Sequence, residues 1–172
     1  ELIHMSDTKW SYSGGGYSVV QLLIEDVSGM TFEDYIQKKV FEPLGMKSST
    51  FNVTDKVMTR SATPYDEAGK VTTMVYFDEK AAAGLQTSAI DLARFNMAIL
   101  RNKNGEYNGS TLLSEKFIDL MIKPAPNTSG RWSMSYIVDA ENNSLGFAGF
   151  NRGWIALTRS VTDQNIGYVI LT

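Results

Sequence analysis

The 172-residue sequence is long enough to form one domain with a buried core. Hydrophobic residues make up 43% and charged residues 20% of the chain, as is usual for a globular protein. The formal net charge of −3 argues against nucleic acid or an anionic membrane as the main partner, because both attract basic surfaces. The absence of cysteine excludes disulfides, thiol nucleophiles and zinc–thiolate sites.

Neither terminus has the pattern of a natural chain end. No apolar run reaches the ~18 residues of a membrane-spanning helix, so we expect no membrane span in this segment. The chain starts at Glu1 without a signal sequence and stops inside the apolar run 168–171. We therefore expect a fragment of a longer protein.

Two helices are predicted in the first quarter of the chain. Apolar residues recur at helical spacing over 16–28, and Gly29 is expected to end this helix. Thr31 and Asp34 have the spacing of a capping box and predict the start of a second helix. Pro43 is expected to end it.

The middle of the chain contains a polar segment and two further predicted helices. Residues 52–80 are polar and irregular, which indicates a long loop or short strands. Ser88 predicts the start of a third helix, with Asp91 three residues later. A fourth helix is predicted over 114–122, before Pro124.

The last third of the chain has the pattern of an antiparallel meander. Strands are predicted over 132–138, 144–147, 154–160 and 166–171, and the polar turn 162–165 should join the last two as a hairpin. Helices followed by antiparallel strands indicate an α+β fold. We see no internal repeat.

A glycine-rich stretch precedes the first helix and contains the first candidate for chemistry. Residues 9–17 read KWSYSGGGY, and such a turn can hold the hydroxyl of Tyr12 at the edge of a cleft. A phenol has an ordinary pKa near ~10 and works as a base only beside cations that lower it. The alternatives are a flexible turn with an ordinary half-buried tyrosine, or a phosphate-binding loop, which the missing Lys-Ser/Thr pair disfavours.

Two long blocks resemble the family of serine β-lactamases, penicillin-binding proteins and family VIII carboxylesterases. The first runs from Thr8 through TKWSYSGGGYSVVQLLIEDVSG to PLGMKSSTF at 43–51. The second, AGLQTSAIDLARF at 83–95, is similar to the family's A-G-G-L-x-S-T-A-x-D-L-A-R-F. The resemblance implies a β-lactamase/transpeptidase-like fold, with an antiparallel sheet flanked by helices. Residues 1–125 would then be mainly a helical lobe and 126–172 the sheet strands of one domain.

The resemblance also implies acyl transfer by a serine. In that family a Ser-x-x-Lys helix supplies the nucleophile, a Tyr-x-Asn turn supplies a base, and a Lys-Thr-Gly or His-x-Gly strand lines the far wall. Tyr12 matches the tyrosine, but Gly14 occupies the asparagine position, which puts polar recognition of the substrate in doubt.

The third family element aligns with FAGFNRGW at 147–154. Gly149 matches the family pattern, as do Asn151 and Gly153, whereas Phe147 replaces the histidine or lysine and should weaken the binding of a substrate carboxylate. The backbone N–H of Phe150 would be the oxyanion donor of this strand. Arg152 is either a substitute for the lost cation or an exposed arginine at a strand end.

The nucleophile itself is not evident in the sequence. The Ser-x-x-Lys match from Ser6 to Lys9 lies directly before the tyrosine turn, where the family has no catalytic helix, so we interpret it as a coincidence. His4 is the single histidine, and no G-x-S-x-G motif accompanies it. The serine is expected in an N-terminal segment of the same protein or on a separate chain.

We expect a hydrolase of esters, amides or peptides that takes a small-molecule or peptide substrate and needs no metal or other cofactor. Gly14 and Phe147 favour an esterase or peptidase over an efficient β-lactamase. A non-catalytic ligand-binding or sensor domain, or an inactive proteolytic core, remains an alternative. The resemblance favours a bacterial protein of the periplasm, the cell envelope or the extracellular space.

Overall fold

The computed structural model describes Met5 and residues 8–172. Its contacts divide the chain into two compact units. The first unit contains the described residues up to Tyr12 together with Ala93–Ala148 and Leu157–Val169. The second unit contains Ser13–Leu92, Gly149–Ala156 and Ile170–Thr172.

Helix α1, Gly14–Ser28, confirms the first predicted helix and begins two residues earlier than its pattern indicated. The Ser13 hydroxyl caps its start by accepting a hydrogen bond from the Gly16 N–H at 3.0 Å. Gly29 ends it in the left-handed conformation (φ 66°) and donates its N–H to the Glu25 carbonyl.

The second predicted helix starts as expected at Thr31, whose hydroxyl accepts from the Asp34 N–H at 3.2 Å. It consists of α2 (Phe32–Ile36), a π-helical segment (Gln37–Phe41) and α3 (Glu42–Leu44). The prediction that Pro43 ends the helix was wrong. Pro43 lies just after the π-helical segment, where the helical hydrogen-bond pattern is already altered, and the helix ends at Leu44, followed by Gly45 in the left-handed conformation (φ 67°).

The polar segment 52–80 contains two features that its composition did not reveal. Helix α4, Asp55–Met58, starts at Thr54, whose hydroxyl accepts from the Val57 N–H at 3.4 Å. Tyr65 and Val71 form an isolated antiparallel bridge around a turn. Helix α5, Lys80–Ala83, follows. The segment is therefore a loop interrupted by a single helical turn.

Helices α6 (Ala89–Met97) and α7 (Glu115–Ile122) confirm the third and fourth predicted helices. The Ser88 hydroxyl accepts from the Asp91 N–H at 3.2 Å, as its spacing predicted. Ile118 of α7 is buried in the core of the first unit. This core consists of Ile99, Tyr107, Ile118, Tyr136 and Leu145.

Among the described residues, four strands form an antiparallel sheet in sequence order. They are β1 (Ile137–Asp139), β2 (Ser144–Asn151), β3 (Trp154–Val161) and β4 (Ile166–Leu171). The register of the first pair places Ile137 opposite Gly146 and Asp139 opposite Ser144. The predicted meander and the α+β class are confirmed, whereas the division into a helical lobe and a sheet remains a prediction.

Two strand boundaries differ from the prediction. The strand predicted from Trp132 begins only at Ile137, because the Ser133 hydroxyl accepts the Tyr136 N–H at 2.9 Å and closes a local turn. Trp132 still pairs with Ile137 in an isolated bridge. Strand β2 continues past Phe147 to Asn151.

Tyr136 carries a prediction about stability. Burial raises the pKa of its phenol to about 12, and its hydroxyl has no hydrogen-bond partner among the described residues. Tyr136→Phe should therefore raise the free energy of unfolding at pH 7 by about 1 kcal/mol. The Tyr136 phenol holds its proton more tightly in the folded protein than in the unfolded chain. The protein therefore keeps its full stability below pH 10 and loses part of it as the pH rises towards 12, where the folded phenol ionises. The variant should lose less stability over that range.

Urea unfolding at pH 7 and at pH 11 measures both effects. Tyr107→Phe is the matched control, because Tyr107 lies in the same core and donates its hydroxyl to Asp119 Oδ1 at 2.8 Å. Removing that hydroxyl should lower the free energy of unfolding by about 1–2 kcal/mol. A destabilised Tyr136→Phe variant would contradict the prediction.

Candidate functional site

Tyr12 lies directly before the capped start of α1 and is strongly exposed, at 68%. The next residue, Ser13, is held by its hydrogen bond to the Gly16 N–H. The glycines after it are the first residues of a helix and do not form an open loop. The glycines are therefore helical and do not form a phosphate-binding loop, and the Tyr12 phenol is accessible.

Three aromatic side chains of the first unit form a row, which we call the aromatic row: Trp10, Trp132 and Phe147. The rings of Trp10 and Trp132 stack at 4.6 Å between centroids with 22° between their planes. Trp132 meets Phe147 edge to face at 6.3 Å and 68°. The row joins the segment that carries Tyr12 to the strand that carries Phe147, so two of the predicted site segments are neighbours.

The backbone beside Phe147 is held closely against β3. The Phe147 N–H donates to the hydroxyl of Thr158, a buried residue, at 3.3 Å. At the preceding residue, Gly146, a Cβ would lie 2.2 Å from the Thr158 carbonyl oxygen, so only glycine fits there. The position of Phe147 is thus fixed by the strand pairing.

The second unit holds the other predicted site residues. Gly14, at the first position of α1, has space for a side chain, because a Cβ there would lie 3.9 Å from Ala82 Cβ, an ordinary contact. Its glycine is not required by the backbone. The structure therefore leaves space for the Cβ of an asparagine at this position.

The family pattern at the end of β2 has a structural explanation. Asn151 donates its side-chain amide to the Ala83 carbonyl at a long 3.5 Å, which ties this strand to the second resemblance block. Gly153 has φ 84°, and a Cβ there would lie 2.6 Å from Pro64 Cβ. At Gly149 a Cβ would meet only Ala156 Cβ, at 4.0 Å.

Phe150 and Arg152 are both exposed at the β2–β3 hairpin, Phe150 at 73%. Arg152 lies in the tight turn before Gly153. The roles predicted for both remain predictions. His4 and Ser6 lie outside the described residues, and Lys9 is exposed and non-helical.

The described part of the chain holds no cluster of three or more histidine or acidic side chains that could bind a metal ion. Within the same part, no helix is long and apolar enough to cross a membrane.

The sequence model of the family described as Beta-lactamase matches residues 2–172, nearly the whole chain. The chain belongs to the beta-lactamase family. This beta-lactamase-family chain is 29% identical over 148 residues to PbpX of Bacillus subtilis (strain 168), which bears the name of a penicillin-binding protein. The match covers 83% of this chain and 35% of PbpX.

Solved structures confirm the fold of this beta-lactamase-family chain. The octameric penicillin-binding protein homologue from Pyrococcus abyssi superposes with a TM-score of 0.80 and 24% identity over 98% of this chain and 40% of that one. A class C beta-lactamase mutant superposes with a TM-score of 0.80 and 17% identity over 99% and 55%. The chain spans about a third to a half of the length of these relatives.

Arg159, Asp139 and Ser144 form a charged cluster in the sheet that the sequence did not predict. Arg159 of β3 donates to Asp139 Oδ2 at 3.2 Å and to the Ser144 hydroxyl at 2.7 Å. The side-chain hydrogen bond from Asn142, followed by Arg159, lowers the pKa of Asp139. The strand register places Asp139 opposite Ser144, which explains this meeting and could have been found only after pairing the strands.

Proposed function

We propose that this chain is part of a serine hydrolase that acts on esters, amides or peptides through an acyl-enzyme. The aromatic row carries the proposal, because it holds the Tyr12 segment beside the Phe147 strand, two elements that meet in the family's active site. The exposure of Tyr12 supports the same function, since a base must reach its proton.

We place the nucleophile in another segment of the protein, on a Ser-x-x-Lys helix. Helix α1 supports this placement, because none of its residues, all of them described, is buried. Its exposed apolar side chains are 44–79% accessible and comprise Tyr17, Val19, Val20, Leu22, Leu23 and Val27. An apolar face of this kind marks a contact surface, and we propose that it packs on the segment that carries the serine.

In the proposed mechanism Tyr12, acting with the lysine of that segment, takes the proton of the serine hydroxyl. The serine oxygen attacks the substrate carbonyl, and the backbone N–H of Phe150 stabilises the oxyanion. Collapse releases the alcohol or amine with the transferred proton. A water molecule then hydrolyses the acyl-enzyme through the same groups.

The charge distribution favours an esterase or peptidase. Phe147 provides no cation for a substrate carboxylate, and Gly14 provides no amide. Arg152, exposed at the adjoining hairpin turn, is the cation that we propose for any anionic group of the substrate. The same two departures favour the second candidate, a non-catalytic domain that binds peptidoglycan-like or acyl ligands.

Labelling with a fluorophosphonate, followed by intact mass spectrometry, tests the function in the full-length protein. We expect one adduct per protein, on a serine outside this chain. Tyr12→Phe should slow labelling about 100-fold, since general bases contribute ~10²–10⁴-fold. Tyr65→Phe, an exposed tyrosine outside the site, should label at the normal rate.

Each other outcome has a distinct meaning. If no serine is labelled, the binding domain replaces the hydrolase as the function. An adduct on Ser6 or Ser13 would contradict the placement of the nucleophile while leaving the chemistry intact. Equal labelling of Tyr12→Phe and the normal protein would remove Tyr12 from the mechanism.

A further inference from the structure

The aromatic row does not belong to the core of its unit. That core is formed by other side chains, namely Ile99, Tyr107, Ile118, Tyr136 and Leu145. Trp10 is 40% exposed, and Trp132 and Phe147 are half-buried. Two tryptophans and a phenylalanine in contact therefore leave contiguous apolar ring surface exposed, and contiguous surface of this kind is a feature of ligand-binding and interaction sites.

The geometry of the row suits a flat or branched apolar group. Both ring separations, 4.6 and 6.3 Å, lie in the range of favourable aromatic pairs, so each ring fixes the orientation of its neighbour. The hydrogen bond from the Phe147 N–H to the Thr158 hydroxyl fixes the backbone at one end of the row. A preformed apolar wall of this kind binds without a large ordering cost.

The aromatic row is apolar, whereas the family has a lysine or histidine at position 147. A lysine or histidine at position 147 would present a charge to the substrate, whereas Phe147 presents a ring that is already in contact with Trp132. A carboxylate placed against these rings would lose hydration and gain no counter-charge from them. An uncharged aryl or alkyl group would lose only apolar contact with water.

Building on the proposed hydrolase function, we infer that Trp10, Trp132 and Phe147 form the subsite that selects substrates with an uncharged aryl or alkyl group next to the scissile bond. Phe147 and Trp132 are then the specificity-determining residues. Trp10 couples this subsite to the segment of Tyr12.

Binding of two matched amides to the full-length protein tests the subsite without requiring hydrolysis. We expect phenylacetamide to bind at least about tenfold more tightly than the carboxylate-bearing succinamate, as measured by ligand-observed NMR titration. Phe147→Lys should abolish or invert this preference, and Trp132→Ala should weaken phenylacetamide binding. Phe117→Lys, an exposed phenylalanine on α7, is the matched control and should keep the preference. Circular dichroism verifies folding of every variant.

Failure of this inference differs from failure of the hydrolase proposal. Equal or tighter binding of succinamate by the normal protein would overturn the inference, as would an unchanged preference in folded Phe147→Lys. If fluorophosphonate labels nothing but phenylacetamide is still preferred, the subsite stands and the hydrolase function fails.

Discussion

Gly153→Ala should lower the free energy of unfolding by about 2–4 kcal/mol. The left-handed backbone at this residue, φ 84°, costs a non-glycine residue about 1–2 kcal/mol. The added Cβ would lie 2.6 Å from Pro64 Cβ and 3.1 Å from the Tyr65 nitrogen, and overpacking of this kind costs roughly 1–3 kcal/mol. Urea unfolding monitored by circular dichroism measures the loss.

The same strand offers the matched control. Gly149→Ala adds the same methyl group at a position where it would contact only Ala156 Cβ, at 4.0 Å, and where φ is not positive. We expect a change within about 0.5 kcal/mol. Equal losses in the two variants would show that the turn geometry at Gly153 is not the cause, and a stable Gly153→Ala would contradict the contact with Pro64.

These two glycines show how far a family pattern can be interpreted from sequence alone. Both match the family, yet only Gly153 is required by its backbone and its neighbour. The pattern predicts which positions carry glycine but not the reason. The reason depends on Pro64, which belongs to the loop that composition left without structure.

Helices were predicted well wherever a local signal determined them. Thr31 and Ser88 each cap the helix that follows, and Gly29 ends one, because these interactions lie within one turn of chain. The predictions failed at one helix end and at one strand start, where another local interaction overrides the general pattern. Pro43 follows a π-helical segment and does not end its helix, and the turn after Ser133 shortens the predicted strand.

The aromatic row could not be predicted in the same way. From the sequence alone, core packing or sheet cover is favoured over cleft lining for both Trp10 and Trp132. Their stacking brings together distant parts of the sequence, and no spacing rule encodes such a contact. Phe147 was interpreted as a departure from the family's histidine or lysine, and no pattern in the sequence indicated that its ring contacts Trp132.

Asp91 shows how a capping residue can have a second role. Its N–H bonds to the Ser88 hydroxyl, as predicted. Its carboxylate is buried, at 2% exposure, and accepts from the Ser48 N–H at 2.6 Å and from the Ser49 hydroxyl at 3.0 Å. Ser49 also meets the Thr87 hydroxyl at 2.7 Å. The two blocks of the family resemblance, 43–51 and 83–95, are therefore joined through this carboxylate.

Asp91→Ala should accordingly lower the free energy of unfolding by about 3–5 kcal/mol. Hydrogen bonds to a charged group contribute about 1.5–3 kcal/mol each, and the Ser48 N–H and Ser49 hydroxyl would lose their charged acceptor. The volume vacated at this buried position adds a further cost, because the surrounding residues fill such a cavity only in part. Urea unfolding at pH 7 measures the difference.

Asp91→Asn separates the charge from the packing. The Ser48 N–H and the Ser49 hydroxyl bond to the same oxygen, Asp91 Oδ2, so an asparagine whose carbonyl oxygen takes that place keeps both hydrogen bonds but carries no negative charge. Because only the charge of the acceptor is lost, we expect Asp91→Asn to lower the free energy of unfolding by about 1–2 kcal/mol. If the alanine variant loses no more than the asparagine variant, the buried acceptor is not what joins the two blocks. A loss of 3 kcal/mol or more in the Asp91→Ala variant alone would identify the Asp91 side chain as the group that joins the two blocks.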